Sequence, residues 1–260
     1  MNRKLSALLF MFAMVVFVAC RKDETTTGTL RMRLQDSPAN AYQQVNVDVR
    51  SVEVITGSEF DASGNSVTLN IQPGVYDLLT LTNGIDVMLA EQPLPVGFIS
   101  QVRLVLGNNN SLMVNNQIFP MDVPSGSTSG LKINVHEAIL ANSITEIYLD
   151  FDAQRSVVEQ GNGTYSLKPV IKAFTLKSTG GVSGTISVPA PGVTATLENA
   201  TDVYTTMVDP STGYFLIRGA KAGTYTLAVE VSGGTRPVKV TGINVSIGSV
   251  NDIGVVYGPF

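Results

Sequence analysis

In Val45-Asn46-Val47-Asp48-Val49-Arg50-Ser51-Val52-Glu53-Val54, apolar and polar residues alternate. The apolar residues recur at every second position, the period of a strand with one face buried, not that of a helix. The valines occupy odd positions through Val49 and even positions from Val52. A slip of one residue sends later side chains to the opposite face, so a β-bulge is expected near Arg50-Ser51. The same period runs outward from here. Leu30, Met32 and Leu34 share a face with Arg31 and Arg33 on the other. Val102, Leu104 and Leu106 form another apolar face, and Ile147, Leu149 and Phe151 alternate with Tyr148, Asp150 and Asp152. Turn-forming clusters separate the runs: Asp61 to Asn65, Thr82-Asn83-Gly84, Gly107 to Asn110 and Pro124 to Ser127. Half-buried strands at this spacing make an all-β protein of antiparallel sheets. No stretch carries a long capped amphipathic helix. Val135 to Leu140 is read as one helical turn at most.

Ser178-Thr179-Gly180-Gly181 is the natural seam. Residues 28–177 are read as one β-sandwich, 178–181 as a linker and 182–260 as a second, smaller sandwich. Beyond the seam the expected strands are Val182 to Val188, Val193 to Leu197, Val203 to Val208, Tyr214 to Ile217, Thr224 to Val231, Val238 to Ile247 and Val250 to Val256. Short strands punctuated by glycine suit a small sandwich. Lys168-Pro169-Val170-Ile171-Lys172 reads as the last strand of the first unit. Pro169 lacks a ladder donor, so it should sit at an edge or at a strand start, and an edge would also let a partner's strand add.

The N-terminus is an address, not part of the fold. Arg3 and Lys4 precede a nearly uninterrupted apolar run from Leu5 to Ala19, the layout of a cleaved secretory signal over residues 1–19. Its removal takes away two basic residues and no acidic one, so the net charge moves from −4 to −6. Acidity argues against a nucleic-acid partner, which needs a basic face. A single Cys excludes a disulfide framework or a Cys-rich zinc site, and a single His leaves little for a His-based metal centre. No cofactor motif is present, and neither a metal site nor a catalytic residue is assigned.

Val18-Ala19-Cys20 resembles the lipobox of bacterial lipoproteins. The resemblance implies cleavage before Cys20, lipidation there and anchoring in a membrane, which acyl chains together make stable. Residues 20–27 are then a polar tether. Within it Lys22-Asp23-Glu24 resembles the export signal of Bacteroidetes surface lipoproteins, which implies display on the outer face of the outer membrane. Residues 28 to about 176 resemble an uncharacterised domain family of bacterial and archaeal surface lipoproteins. The resemblance is carried by Leu34-Gln35-Asp36-Ser37-Pro38, Tyr76-Asp77-Leu78-Leu79, Leu81-Thr82-Asn83-Gly84, Ser129-Gly130-Leu131-Lys132, Leu149 to Ala153 and Leu167 to Val170. That family supplies no activity. Gly184-Thr185-Ile186, Asp209 to Phe215, Gly219 and Ala222 to Leu227 are similar to the carboxypeptidase regulatory-like, transthyretin-like sandwich, which implies a spacer or interaction module.

Asp150 and Asp152 are the acidic pair with most chemical promise. Two apart on a strand, both carboxylates leave one face roughly 7 Å apart, with Glu146 and Tyr148 beside them. They suit a glycosidase pair, a Ca²⁺ or ligand site, or plain ion pairs with Lys132, Lys168 or Lys172. Asp36 joins them only if its strand end lies close. The hydrolase reading requires a concave pocket holding both and a carboxyl whose pKa is pushed up. His136, beside Glu137, has no nucleophile motif to serve and is read as structural. The aromatics are scattered and Trp is absent, which weakens a sugar-stacking platform.

The sequence thus reads as a non-enzymatic, surface-tethered envelope lipoprotein whose module contacts a glycan, a matrix polymer or an envelope protein. One alternative is a fimbria-like subunit polymerising by strand exchange after cleavage at Arg31 or Arg33. A second is a glycan hydrolase using Asp150 and Asp152. Cys20→Ser is expected to abolish incorporation of labelled fatty acid and release the chain from the membrane fraction. Unchanged labelling would refute the anchor.

Overall fold

The computed structural model describes residues 26–37, 41–57, 64–124, 130–231 and 236–258. The signal segment, Cys20 and Lys22-Asp23-Glu24 lie outside the described residues, as do parts of the two turns at 61–63 and 125–127. The molecule is all-β. Its first part runs β1 (Thr27–Ser37), β2 (Gln44–Gly57), β3 (Asn65–Thr68), β4 (Gly74–Asp77), a 3-10 turn at Leu78–Thr80, β5 (Val87–Pro95), β6 (Gly97–Leu106), β7 (Ser111–Val114), β8 (Gln117–Asp122), β9 (Leu131–Ile139), β10 (Ile144–Asp152), α1 (Ala153–Ser156), β11 (Val157–Glu159), β12 (Tyr165–Leu167) and β13 (Ile171–Phe174). These strands form a sheet of order β13-β10-β1-β5 and a larger one of order β11-β12-β8-β7-β2-β6-β9, with β3 and β4 also paired to β2. Leu30, Met32 and Leu34 of β1 and Ile147, Leu149 and Phe151 of β10 bury completely against Val45, Val47, Val49, Val52 and Val54 of β2.

The bulge falls where the valine phase slips: the β2–β6 register shifts between Val49 and Ser51, and both valine sets reach the core. Asp48 departs from the simple alternation. It is fully buried because the Gly107–Asn110 loop folds over it, where Asp48 Oδ2 accepts from Arg50 Nη2 at 2.7 Å and from the Asn109 amide at 3.1 Å. A Cβ on Gly107 would stand 2.2 Å from that oxygen, so only glycine lets the loop close.

The chain continues through β14 (Gly180–Ile186), β15 (Val193–Glu198), β16 (Val203–Met207), β17 (Tyr214–Ala220), β18 (Gly223–Val231), β19 (Val238–Val245) and β20 (Val250–Val256). Sheets of order β17-β14-β20 and β16-β15-β18-β19 enclose a second hydrophobic cluster. Phe215, Leu227 and Val229 are fully buried there, and Tyr225 nearly so.

Three sequence expectations need correction. Val135 to Leu140 is not helical, because β9 pairs along β6 through Ile139. Gly180 and Gly181 are not linker: they open β14, where a Cβ would meet the Ser246 and Ile217 carbonyls at 2.2 and 2.6 Å. The turn lies just before, with the Thr179 hydroxyl donating to the Thr175 carbonyl at 2.6 Å. Pro169 precedes the strand, which starts at Ile171, although β13 is an edge. The expected antiparallel sheets are present, and three parallel pairs are set among them: β1–β10, β8–β12 and β14–β20.

Candidate functional site: a polar cleft between the two β units

The parallel pairing of β1 with β10 sets the site. It puts Gln35 opposite Asp150 and Ser37 opposite Asp152, with Asp36 between them opposite Phe151. Asp36 is thereby brought to Asp150 and Asp152, distant from it in sequence, where the two strands end. The three carboxylates form one wall of a cleft of about 640 Å³. The other wall comes from β15, β16 and β17, including Thr196, Tyr204, Thr205 and Arg218.

Two contacts fix the walls against each other. The first is the Thr82–Ile85 turn, closed by the Ile85 amide on the Thr82 carbonyl at 3.0 Å, with Asn83 and Gly84 both at positive φ (55° and 80°). Asn and Gly are the residues that such a turn accepts. The turn presents the Asn83 side chain to the exposed edge of β17. Its Nδ2 donates to the Tyr214 carbonyl at 3.1 Å, and its Oδ1 accepts from the Leu216 amide at 2.6 Å. The amide side chain thus takes the place of a neighbouring strand. The Asn83 backbone amide also donates to Thr206 Oγ1 at 3.1 Å.

The second contact is ionic. Asp86 accepts from Arg33 Nη1 on Oδ1 at 2.5 Å and from Arg218 Nη2 on Oδ2 at 3.0 Å. Arg33 also donates to Glu146 at 2.6 Å, and the two acids hold its proton still more firmly than usual. Arg218 donates to the Gly84 carbonyl and lies over the Tyr148 ring, 5.2 Å from its centroid. Tyr148 in turn stacks on Phe174 at 5.1 Å. Phe174 closes against Gly219, at φ +77°, where a Cβ would sit 2.9 Å from the ring.

Asp150 and Asp152 both line the cleft, but they are not equivalent. Asp150 accepts from Gln35 Nε2 and Ser37 Oγ, each at 3.1 Å. Burial pushes its carboxyl up, partly offset by those two donors. Asp152 caps α1, accepting from the Arg155 amide at 2.9 Å, and pairs with the Arg155 guanidinium at 2.6 Å. Ion pairing of this couple with Lys132, Lys168 or Lys172 does not occur among the described residues. Lys172 stands directly opposite Asp150 in the β10–β13 register, yet its Nζ lies over the Tyr204 ring, 5.8 Å from the centroid. Glu146 and Tyr148, expected beside the pair, belong to the ionic seam instead, with the Tyr148 hydroxyl donating to Glu146 at 3.1 Å. Among the described residues no group of three or more His, Cys, Asp or Glu is placed to hold a metal ion.

The remaining candidates lie elsewhere. His136 packs on the edge of Phe98, with centroids 4.1 Å apart, and lines a second cavity of about 320 Å³ with Glu137. Glu137 accepts there from the Thr175 hydroxyl at 3.3 Å. Arg31 pairs with Glu91 at 3.2 Å. Arg33 is locked into the seam, and β1 is a central strand between β10 and β5. Cleavage at either Arg would have to open the middle of the sheet.

Asp36 is the least comfortable group in the site. It is 5% exposed; Oδ1 accepts from the Ala153 amide at 3.0 Å, and Oδ2 has no donor among the described residues. Burial raises its carboxyl well above the usual range, the Ala153 donor opposes that, and Asp150, Asp152 and Asp77 add to it. A proton held more tightly in the folded chain than in the unfolded one gives stability that is full below the unfolded value of 3.8 and lost as pH rises through the folded value. Asp36→Asn keeps an acceptor for Ala153 and removes the charge. It is expected to raise the Tm at neutral pH, by roughly 2–4 °C per kcal/mol relieved. The gain should shrink as the pH falls toward the unfolded carboxylate range. A shift of equal size at every pH would contradict the assignment.

Comparison with solved structures returns distant β proteins. The Bacillus anthracis TIE protein shares 14% identity at a TM-score of 0.24; the alignment covers 89% of this chain but 34% of that one, so this chain spans about a third of its length. GBS52, the minor pilin of Streptococcus agalactiae, shares 11% identity over 87% of this chain and 94% of its own, at a TM-score of 0.21. The fimbrial anchor protein Mfa2 from Porphyromonas gingivalis shares 8% over 88% and 90%, at 0.22. No curated protein matches the chain. The model of the domain of unknown function DUF4382 matches residues 27–169, more than half of the chain and the whole wall that carries Asp36, Asp150 and Asp152, and the protein belongs to that family.

Proposed function

We propose that this protein is a lipid-anchored binding module of the outer cell envelope, tethered through Cys20, that takes a glycan in the cleft between its two β units and has no enzymatic activity. The observation that carries the reading is the cleft itself. Its volume is in the range of small-ligand sites, about 300–1,000 Å³. Its lining is polar on both walls, with hydroxyls of Thr196 and Thr205, carboxylates, and the half-buried ring of Tyr204. Hydroxyl-rich ligands are met by such side chains, and a single ring suffices to stack one sugar face. The N-terminal lipobox and the Lys22-Asp23-Glu24 tether support display at the surface. The similarity of the second unit to carboxypeptidase regulatory-like sandwiches supports a role without chemistry.

One observation favours a second reading, glycan hydrolysis. The cleft is concave, holds both Asp150 and Asp152, and keeps Asp150's carboxyl raised by burial, while Asp152 is paired with Arg155. Against it, every oxygen of the two carboxylates already accepts a hydrogen bond from the protein. A panel of envelope and matrix glycans, read both for binding and for new reducing ends, separates the two. Binding that Tyr204→Ala weakens about tenfold or more, without hydrolysis, is the expected result. Release of reducing ends, lost in Asp150→Asn, would establish the hydrolase instead.

A further inference from the structure

Acidic side chains outnumber basic ones in the cleft. Asp36, Asp150, Asp152, Asp202 and Glu230 line it, against Arg155, Lys172 and Arg218. Asp152 is taken by Arg155 and Asp202 by Lys221 at 2.7 Å. Asp36, Asp150 and Glu230 have no ion-pair partner among the described residues. Beside Asp150, two shielded acceptors are also without a donor: Oε1 of Gln35, which is 9% exposed, and Oδ2 of Asp36. Gln35 gives its Nε2 to Asp150, so its carbonyl sits next to that carboxylate with nothing to accept from. An unpaired buried acceptor is costly, so a native structure that keeps two of them in one cleft wall calls for an explanation.

From this wall we infer that the cleft recognises its glycan by a protonated amine, and that the ligand class is an amino-sugar oligomer with free amino groups; the inference rests on the cleft-binding reading above. A hydroxyl brings one donor and no charge, whereas an ammonium brings three donors and the missing positive charge. A divalent cation would need six to eight oxygens for Ca²⁺, and the described residues offer no cluster of three or more charged or imidazole ligands. Lys172 shows how the wall treats an ammonium. It faces Asp150 across the strand pair but makes no ion pair with that carboxylate and rests over Tyr204. An ammonium over a tyrosine face is held by the ring quadrupole. The hydroxyls of Thr196 and Thr205, 3.2 Å apart on the facing wall, are placed for the ring hydroxyls of the same sugar. One cationic group of the cleft also has a buried donor without a partner: Arg218 Nε has no acceptor among the described residues, although its Nη2 is held by Asp86 and Gly84. An acidic glycan is therefore the informative competitor.

The test is calorimetric titration of the full chain in detergent. The probes are a glucosamine oligomer, its fully N-acetylated counterpart, a neutral cello-oligosaccharide, a galacturonate oligomer and Ca²⁺ alone. The glucosamine oligomer should bind at least about tenfold more tightly than the other sugars. Asp150→Asn should erase that preference, and Lys172→Gln, which removes an exposed resident cation, should increase it. The second variant keeps the test decisive if the first does not fold. Equal affinity for acetylated and free-amine oligomers refutes the amine and leaves the glycan reading standing, as does preference for galacturonate. Tighter binding of Ca²⁺ than of any sugar, with the same dependence on Asp150, replaces the amine by a metal. Failure of every sugar to bind removes both readings.

Discussion

The carboxylate of Asp86, held between a guanidinium of each β unit, is the interaction on which the rest of the structure depends. It reaches Arg33 on the central strand of the first unit and Arg218 on the edge strand of the second. All three groups are largely withdrawn from solvent, with side-chain exposures of 11% for Asp86, 12% for Arg218 and 23% for Arg33. Such a network adds little net stability over a well-packed apolar seam, but removal of one partner leaves a buried charge and costs about 3–5 kcal/mol. Its value is geometric. Charge and hydrogen-bond direction select one orientation of the two units, where apolar surfaces alone would tolerate sliding. Asn83 does the same for β17, closing an open strand edge that would otherwise be free to pair with another chain.

With that orientation set, the cleft follows. The units meet at Asn83, Arg218, Tyr148 and Phe174 and part beyond them, leaving the ends of β1 and β10 facing the hydroxyls of β15 and β16 across open space. The carboxylates stand there because two parallel neighbours end together, and their discomfort has one source: like charges and burial at a wall with few cations. Asp152 escapes by capping α1 and binding Arg155. Asp150 is eased by Gln35 and Ser37. Asp36 is left with a single donor.

How much of this was legible before the coordinates depends on the range over which each signal acts. The bulge at Arg50 and the buried faces of β1, β2, β10 and β18 are local matters of period two, and every one can be read from the chain. The Asn83-Gly84 turn is legible as a turn, because those residues tolerate positive φ, but not as a strand-edge clamp, since nothing local points to Leu216, 133 residues on. Arg33, Asp86 and Arg218 look like ordinary outward-facing charges, and only the packing of the two units brings them together. Asp48 misleads for a similar reason: alternation places it outward, and a glycine-gated loop buries it. Asp150 and Asp152 are legible as a pair on one face. That Asp36 joins them required the parallel register of β1 and β10, which sequence alone does not fix.

The seam holds the two units in one orientation and thereby makes the cleft. Spin labels placed on exposed strands of the two units, at Lys132→Cys and Lys239→Cys in a Cys20→Ser background, report that orientation directly as a distance distribution. The account predicts one narrow distribution that broadens when Arg218 is replaced by Met and Asn83 by Ala together. A broad distribution in the chain with its seam intact, or no change on removing both contacts, would contradict it.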